Sequence, residues 1–469
     1  MPSKAGIEGK QLFVAGLVLV ALWLSILPPA ALSPHQAQTL GIVLVTLSLW
    51  GTGLVPGYLA SLIFFAVTII AGLAPPELVF SGFASAAIWL IISGFVIGSA
   101  ISVSGLGERL ASLVGPMLTG SYPRLIGGLM LTCMALGFLM PSSLGRAVVM
   151  VPIGMALAER CGFGTGSNGR IGVAAVLAVG CNMPSFAILP SNIPNVILSG
   201  SAETILGVHF TYADYLLLHY PVLGVLKSLA TVLLVLRLFP ATVEAAEIAS
   251  HKDHDGTPGA GFNRGVQIRV MAILLVTLAL WMTDGWHGIN PAWIGLAASA
   301  ILLMPGIGVV TPPAFKASVD FGTLLFVAGA LALGAIVNAS GLGAMIGQLL
   351  QDVLPLEAGR DAVNFASLVV MSTLTGLIAT VPGVPAVLTP MAPDLANVTG
   401  FSVPAVLMTQ VIGFSTVLFP YQVGPLVVAM QLSGERLGTL LRITLPLAAI
   451  SLIVLVPINY LWWRLLGWI

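Results

Sequence analysis

Charge is what this sequence has least of. Only 7% of its 469 residues are Asp, Glu, Lys or Arg, where a soluble domain carries about 25%. Acidic and basic residues balance at 17 each, and no basic run is present to hold nucleic acid. Cysteine is scarce. Cys133, Cys161 and Cys181 lie in or beside apolar segments without CxxC spacing and read as structural thiols rather than metal ligands. The six histidines are scattered, mostly at inferred segment ends; His251 and His254 share a polar loop with Asp253 and Asp255, which reads as a solvated linker. The apolar segments lack HExxH, Ser/His pairing and paired mid-span Asp, and the chain has no GxxxxGK loop, so neither an enzyme nor a cofactor is expected.

What is present is hydrocarbon. Hydrophobic residues make up 58% of the chain and the mean hydropathy is +1.05, which defines a polytopic, all-α membrane protein. At about 20 residues per span, the length accommodates roughly ten to twelve crossings. The cationic start, with Lys4 and Lys10 before an apolar run from Leu12 to Leu27, reads as an uncleaved first span with its N-terminus in the cytoplasm.

Further spans are predicted at 37–53, 56–74 and 85–104. An interrupted stretch follows at 125–157, flanked on both sides by basic residues (Arg109 and Arg124; Arg160 and Arg170), as a hairpin entering from and returning to the cytoplasm would be, the alternative being two full crossings. A broken span at 171–200 and a span at 212–239 lead to a polar linker, 241–264. The second half offers spans at 267–284, 291–309 and 321–340, an interrupted stretch at 363–397, a broken span at 402–430 and a last span at 439–463, where Trp462, Trp463 and Trp468 read as an interfacial anchor.

The stretch 138–153 organises the first half. It sets Ser142, Ser143 and Arg146 between apolar flanks, after a helix break at Pro141. A guanidinium in hydrocarbon costs several kcal/mol, about 2.5–3.5 on insertion scales, so Arg146 must face protein, water or a ligand. It has two readings: a countercharge for a substrate anion, or a tether from the hairpin tip to a carbonyl. Pro190-Ser-Asn-Ile-Pro194-Asn195 breaks the following span, where Asn192 and Asn195 can cap a helix or contact substrate.

The halves repeat. Ser104-Gly-Leu-Gly107 recurs as Ser340-Gly-Leu-Gly343, an offset of 236 residues (340 − 104), and each is followed by an interrupted stretch and then a broken span. An odd number of crossings per half makes the repeats inverted, so the breaks meet near the bilayer midplane. Helix N-termini at such breaks carry unpaired N–H groups and partial positive charge, and favour an anion.

With these features the chain resembles the divalent-anion:sodium symporter family, the carriers and exchangers of dicarboxylates, citrate, tartrate and sulfate. The family's Ser-Asn-Thr hairpin tip aligns with Ser142-Ser143-Leu144, and its later break with Ser191-Asn-Ile-Pro194-Asn195. In the second half Thr380-Val381-Pro382 and Tyr421-Gln422-Val423-Gly424-Pro425 take those places.

The resemblance implies about eleven transmembrane helices, two re-entrant hairpins and a homodimer in the cytoplasmic membrane. It implies a sodium position near Ser142, Ser143 and Ser191 and another near Thr380 and Gln422. The substrate set is Ser143, Leu144, Arg146, Asn192, Asn195, Val381, Pro382 and Val423. It also implies a transport unit in each half, 121–240 and 351–469, moving against scaffold helices in 1–120 and 265–350. The expected activity is secondary transport of a small organic or inorganic anion, a di- or tricarboxylate, sulfate or sulfonate, by sodium symport or anion exchange.

Val381 replaces an amide oxygen at the second sodium position, and Arg146 is the countercharge an exchanger without sodium would require. The competing reading is a cation/proton or arsenite-type antiporter on a related scaffold. Its need for a mid-span acid is poorly met, because Asp214, Asp284, Asp320, Asp361 and Asp394 fall near segment ends.

Overall fold

A computed structural model describes residues 4–107, 109, 118, 120–243 and 263–469; Glu108 and most of the polar linker lie outside the described residues. The described residues are helical throughout, with no strand. A first helix, α1 (Lys4–Ile26), precedes two halves built in one order.

In the first half α2 (Pro34–Thr52), α3 (Gly57–Ile70) and α4 (Ala86–Val103) lead to a pair of arms, α5 (Tyr122–Leu139) and α6 (Ser143–Arg160). A broken span, α7 (Asn168–Asn182) and α8 (Ile193–Leu206), and a last span, α9 (Tyr212–Leu238), complete it. In the second half α10 (Arg264–Met282), α11 (Pro291–Leu303) and α12 (Phe321–Ala339) are followed by a short helix, α13 (Leu342–Val353). The arms α14 (Asp361–Ile378) and α15 (Thr380–Thr399), the broken span α16 (Val403–Phe414) and α17 (Gly424–Ser433), and the last span α18 (Leu437–Leu465) then repeat the pattern.

Local chemistry sets these boundaries. Ser33 caps α2 in a reciprocal pair with Gln36, and Ser121, Ser142, Ser167, Thr211 and Ser402 cap α5, α6, α7, α9 and α16. The repeated SGLG is a helix ending. α4 and α12 stop at Val103 and Ala339, Ser104 and Ser340 follow as caps, and Gly105 and Gly341 take left-handed φ values of 66° and 72°. Leu106 and Leu342 are then buried, which fixes the direction in which the chain leaves.

The halves interlock reciprocally. α3 packs on α12 as α11 packs on α4, and α6 packs on α17 as α15 packs on α8. This is the cross-packing of a pseudo-twofold. Each half contributes three spans, a two-armed hairpin that returns, a broken span and a last span, an odd number of crossings, so the repeats are inverted. Both last spans contain a π-helical turn, Tyr220–Leu226 in α9 and Ser451–Leu455 in α18.

Nine helices among the described residues are long and apolar enough to cross a membrane, or ten if the pair Thr380–Thr399 and Val403–Phe414, bent by 116°, is one span. The sequence expectation of about eleven leaves out two of these nine, the hairpin arms α5 and α14, and counts instead α2, the shorter apolar helices α3 and α11, and the broken span α16–α17.

Three expectations change. The broken spans open earlier than Pro190 and Phe419: α7 stops at Asn182 and α16 at Phe414, and short 3-10 turns fill the gaps. Trp463 is no interfacial anchor, being fully buried with its ring 5.1 Å from Phe365 and 5.7 Å from His219. His219 lies inside α9 rather than at a segment end, and it too is fully buried.

Candidate anion site

The first hairpin turns at Met140–Ser142, between the end of α5 and the start of α6. Met140 leaves α5 with extended backbone, and Pro141 cannot donate to the helix behind it. Ser142 Oγ accepts from Gly145 N at 3.0 Å and so starts α6 with Ser143 as its first residue. The second turn differs. Thr380 is the one described non-glycine residue with positive φ, 59°, and its hydroxyl donates to the adjacent Ala379 carbonyl at 2.6 Å.

Arg146 lies one turn into α6 and is fully buried. Its Nη1 donates to the Met140 carbonyl and to Ser191 Oγ (2.8 Å), its Nη2 to the Ser191 carbonyl (3.4 Å) and its Nε to the Cys181 carbonyl (3.0 Å). Ser191 Oγ in turn donates to the Gly137 carbonyl at 2.8 Å. One guanidinium thus joins the hairpin tip, the end of α7 and the turn before α8. Of the two readings of Arg146, the structure shows the tether, and its donors are engaged by oxygens that belong to the protein.

Around the first break a polar knot forms on Ser185. Asn195 Nδ2 donates to the carbonyls of Ser185 (3.0 Å) and Ile188 (2.9 Å), Asn192 Nδ2 to Ser185 Oγ (3.1 Å), and Ser185 Oγ to the Asn182 carbonyl (2.5 Å). These bonds replace the ladder that the break removes. The Asn182 side chain and Asn195 Oδ1 are buried without a hydrogen-bond partner.

A cleft opens where the starts of α6 and α8 converge. Ser142, Ser143, Ser191 and Asn192 line its polar side; Ile91 and Phe95 of α4 line the other. Two helix N-termini therefore face one space. The early N–H groups of each helix have no intrahelical partner, and both dipoles favour negative charge there. Of the residues named from the sequence, Ser142, Ser143, Ser191 and Asn192 meet at this cleft, while Arg146 and Asn195 stand behind it as fully buried supports. Leu144, 43% exposed, lines no part of it.

The second-half residues form a separate group. Gln422 Nε2 donates to the Gly376 carbonyl (2.9 Å), and its Oε1 accepts from Leu418 N (2.9 Å) and Phe419 N (2.8 Å), so Gln422 latches the second break to α14. Val381 and Val423 are buried, and Pro382 is half-buried beside Thr380. Because α15 packs on α8 and α6 on α17, each tip arm rests on the resumed helix of the other half.

Sequence reasoning passed over Lys227. It is fully buried in α9 and donates to the carbonyl of Ser415, the residue that caps the end of α16, at 2.6 Å. A lone lysine inside a long apolar run was the available signal.

Comparison with known proteins places the chain among transporters. The chain is 26% identical over 465 residues to dicarboxylate transporter 2.2, chloroplastic, of Arabidopsis thaliana, covering 94% of this chain and 81% of that one. It is 23% identical over 355 residues to the L-tartrate/succinate antiporter of Escherichia coli, covering 74% of this chain and 72% of that one. The fold matches the crystal structure of the Alcanivorax borkumensis YdaH transporter with a TM-score of 0.54 at 15% identity, over 93% of this chain and 99% of that one. The model of the sodium:sulfate symporter transmembrane region matches residues 10–469. The chain belongs to that divalent-anion:sodium symporter family of multi-pass membrane transporters.

Proposed function

We propose that this protein is a secondary carrier of the cytoplasmic (inner) membrane that exchanges small dianions, dicarboxylates foremost, without sodium. The observation that carries the reading is the placement of Arg146. A coupling sodium ion at the first hairpin would be held by several oxygens of the tip and the break. Here the carbonyls of Met140, Cys181 and Ser191 and the hydroxyl of Ser191 are donated to by a side chain that stays charged. A fixed cation cannot leave with the substrate. The emptied carrier therefore retains an uncompensated charge and resets only with another anion bound, which makes exchange obligatory.

The anion itself lies in the cleft against the starts of α6 and α8, near Ser143 and Asn192, with Ile91 and Phe95 at its apolar part. The antiporter named among the relatives supports exchange, and the dicarboxylate transporter supports the substrate class. A homodimer, with the hairpins, the broken spans and the last spans α9 and α18 moving as one unit against α2–α4 and α10–α12, completes the reading.

The test is uptake of labelled succinate, tartrate, citrate and sulfate into proteoliposomes, with and without internal anion and with and without a sodium gradient. Uptake is expected only with internal anion, equal in sodium and potassium, and lost in Arg146→Ala. Sodium-driven uptake into anion-free vesicles would overturn exchange; no anion moving under any condition would overturn the carrier itself.

A further inference from the structure

Lys227 has no role in the exchange just described, yet it is fully buried and no carboxylate among the described residues pairs with it. Its Nζ donates to the Ser415 carbonyl at 2.6 Å and meets Ser415 Oγ at 3.5 Å, both neutral. On the next residue, Ser228 Oγ is buried without a hydrogen-bond partner. An intramembrane ionisable group held this way marks function more often than structure.

His219, on the same span, is its companion. His219 Nε2 lies 3.3 Å from Met408 Sδ, so α9 meets α16 at Met408 and again at Ser415, through His219 and Lys227 in turn. In a regular α-helix two residues eight apart point about 80° away from each other. The wider π-helical turn at Tyr220–Leu226 brings both toward α16.

The surroundings hold no fixed countercharge. The elements packed on the second part of α9 are α5, α7, the turn Met183–Ala187 and α18. The titratable residues they carry are Tyr122, Arg124, Cys133, Arg170, Cys181, Arg442, Tyr460 and Arg464, the last lying over the Tyr460 ring. Arg170 pairs with Glu159 at 2.9 Å and Glu435 at 3.4 Å, Arg442 lies over the Phe239 ring, and Cys133 and Cys181 lie 3.5 Å from one another. On α9 itself Tyr212, Asp214, Tyr215, Tyr220 and Arg237 complete the set, and none bonds to Lys227. α16 carries no titratable side chain.

We infer that Lys227 is a proton-binding site whose occupancy sets the charge of the anion carried: a dianion when it is an ammonium, a monoanion when it is a neutral amine. Arg146 and protonated Lys227 give the unit two positive charges, which a dianion neutralises. When the Nζ–H bond breaks, its electron pair stays on nitrogen and the proton passes to water on the open side; the amine keeps its donor bond to Ser415. The unit then carries one positive charge, from Arg146, which a monoanion neutralises. A dianion and a proton moving in against a monoanion moving out is electroneutral. Dianion against dianion moves no proton. This rests on the exchange reading above, and the position of Lys227 within the moving unit is what matters, not contact with the substrate.

The experiment loads proteoliposomes with sulfate, succinate or methanesulfonate and follows labelled sulfate or succinate entering at equal or acid external pH. For external sulfate against internal methanesulfonate, external acid is expected to raise the rate several-fold with proton entry of about one per sulfate; sulfate against sulfate is expected to be indifferent to the gradient. Lys227→Arg should keep the dianion homo-exchange and lose the response to the gradient, and Lys227→Met should favour methanesulfonate over sulfate. Dianion exchange against the monoanion that ignores the gradient, absence of that hetero-exchange in wild type, or a full gradient response in Lys227→Arg would overturn the proposal while leaving exchange intact. If no anion exchanges at all, both readings fall together. The wild-type arms decide the matter even where a variant does not fold.

Discussion

Arg146 shows how one residue can decide between two transport modes. Its sequence position, four residues beyond Ser142, left it free to reach either the substrate or the protein. The structure aims it inward, at oxygens of the tip and the break. A lysine offers three donors from a single nitrogen and cannot span oxygens on three chain segments, so Arg146→Lys should keep the charge but lose charge-assisted bonds of about 1.5–3 kcal/mol each. It is expected to unfold at lower temperature in detergent and to exchange anions more slowly than wild type, short of the total loss in Arg146→Ala.

Thr380 is the opposite case, a β-branched residue in the left-handed region with φ of 59°. That conformation costs about 1–2 kcal/mol for an L-residue. Thr380→Gly should therefore raise the melting temperature while leaving the second turn in place, as circular dichroism on heating would show. A fall in anion exchange in that stable variant would mark the strained tip as a working part.

The elements differ in how plainly the sequence announces them. SGLG was legible twice as the repeated end of an apolar run, and the structure adds that it is a cap followed by a left-handed glycine. For Gly341, a Cβ would meet nothing closer than Gln36 Nε2 at 3.5 Å, so space is no obstacle. The conformation is: Gly341→Ala should cost about 1 kcal/mol in thermal unfolding and Gly341→Asn less, because Asn tolerates positive φ.

The broken spans were legible only in part. Pro190 and Pro194 signalled the resumption of α8, but α7 already ends at Asn182, where the polar knot on Ser185 stands in for helix bonds. Such a knot depends on side chains meeting in space, and residue order does not show that. The same holds for Lys227, a lone lysine in an apolar run whose partner appears only when α16 places Ser415 over it. Trp463 misled for the converse reason: terminal tryptophans suit an interface, yet Phe365 and His219 enclose this one.

At the scale of the molecule, two interlocked halves place both hairpin tips against small residues of the helices preceding them. A Cβ on Gly94 of α4 would lie 3.6 Å from Pro141 Cβ at the first tip, and one on Gly51 of α2 would clash with the Ile378 carbonyl, 2.3 Å away, beside the second. Gly94 is where the proposed moving unit touches the proposed scaffold, and a Cβ separation near 3.8 Å suits a disulfide. With the native cysteines replaced, oxidised Gly94→Cys/Pro141→Cys should stop anion exchange, and reduction should restore it. Full exchange in the cross-linked protein would show that the tip and α4 travel together or stay together.

The central claim, that a fixed guanidinium stands where a coupling sodium ion would sit, is tested most directly by substrate binding to the purified protein. The measurement is the Kd of succinate, tartrate or sulfate by calorimetry in sodium and in potassium, for wild type. The account predicts the same Kd in both salts, with no sodium binding detected alongside the anion. An affinity at least tenfold higher in sodium would contradict it, and would return Ser142, Ser143 and Ser191 to the role of sodium ligands.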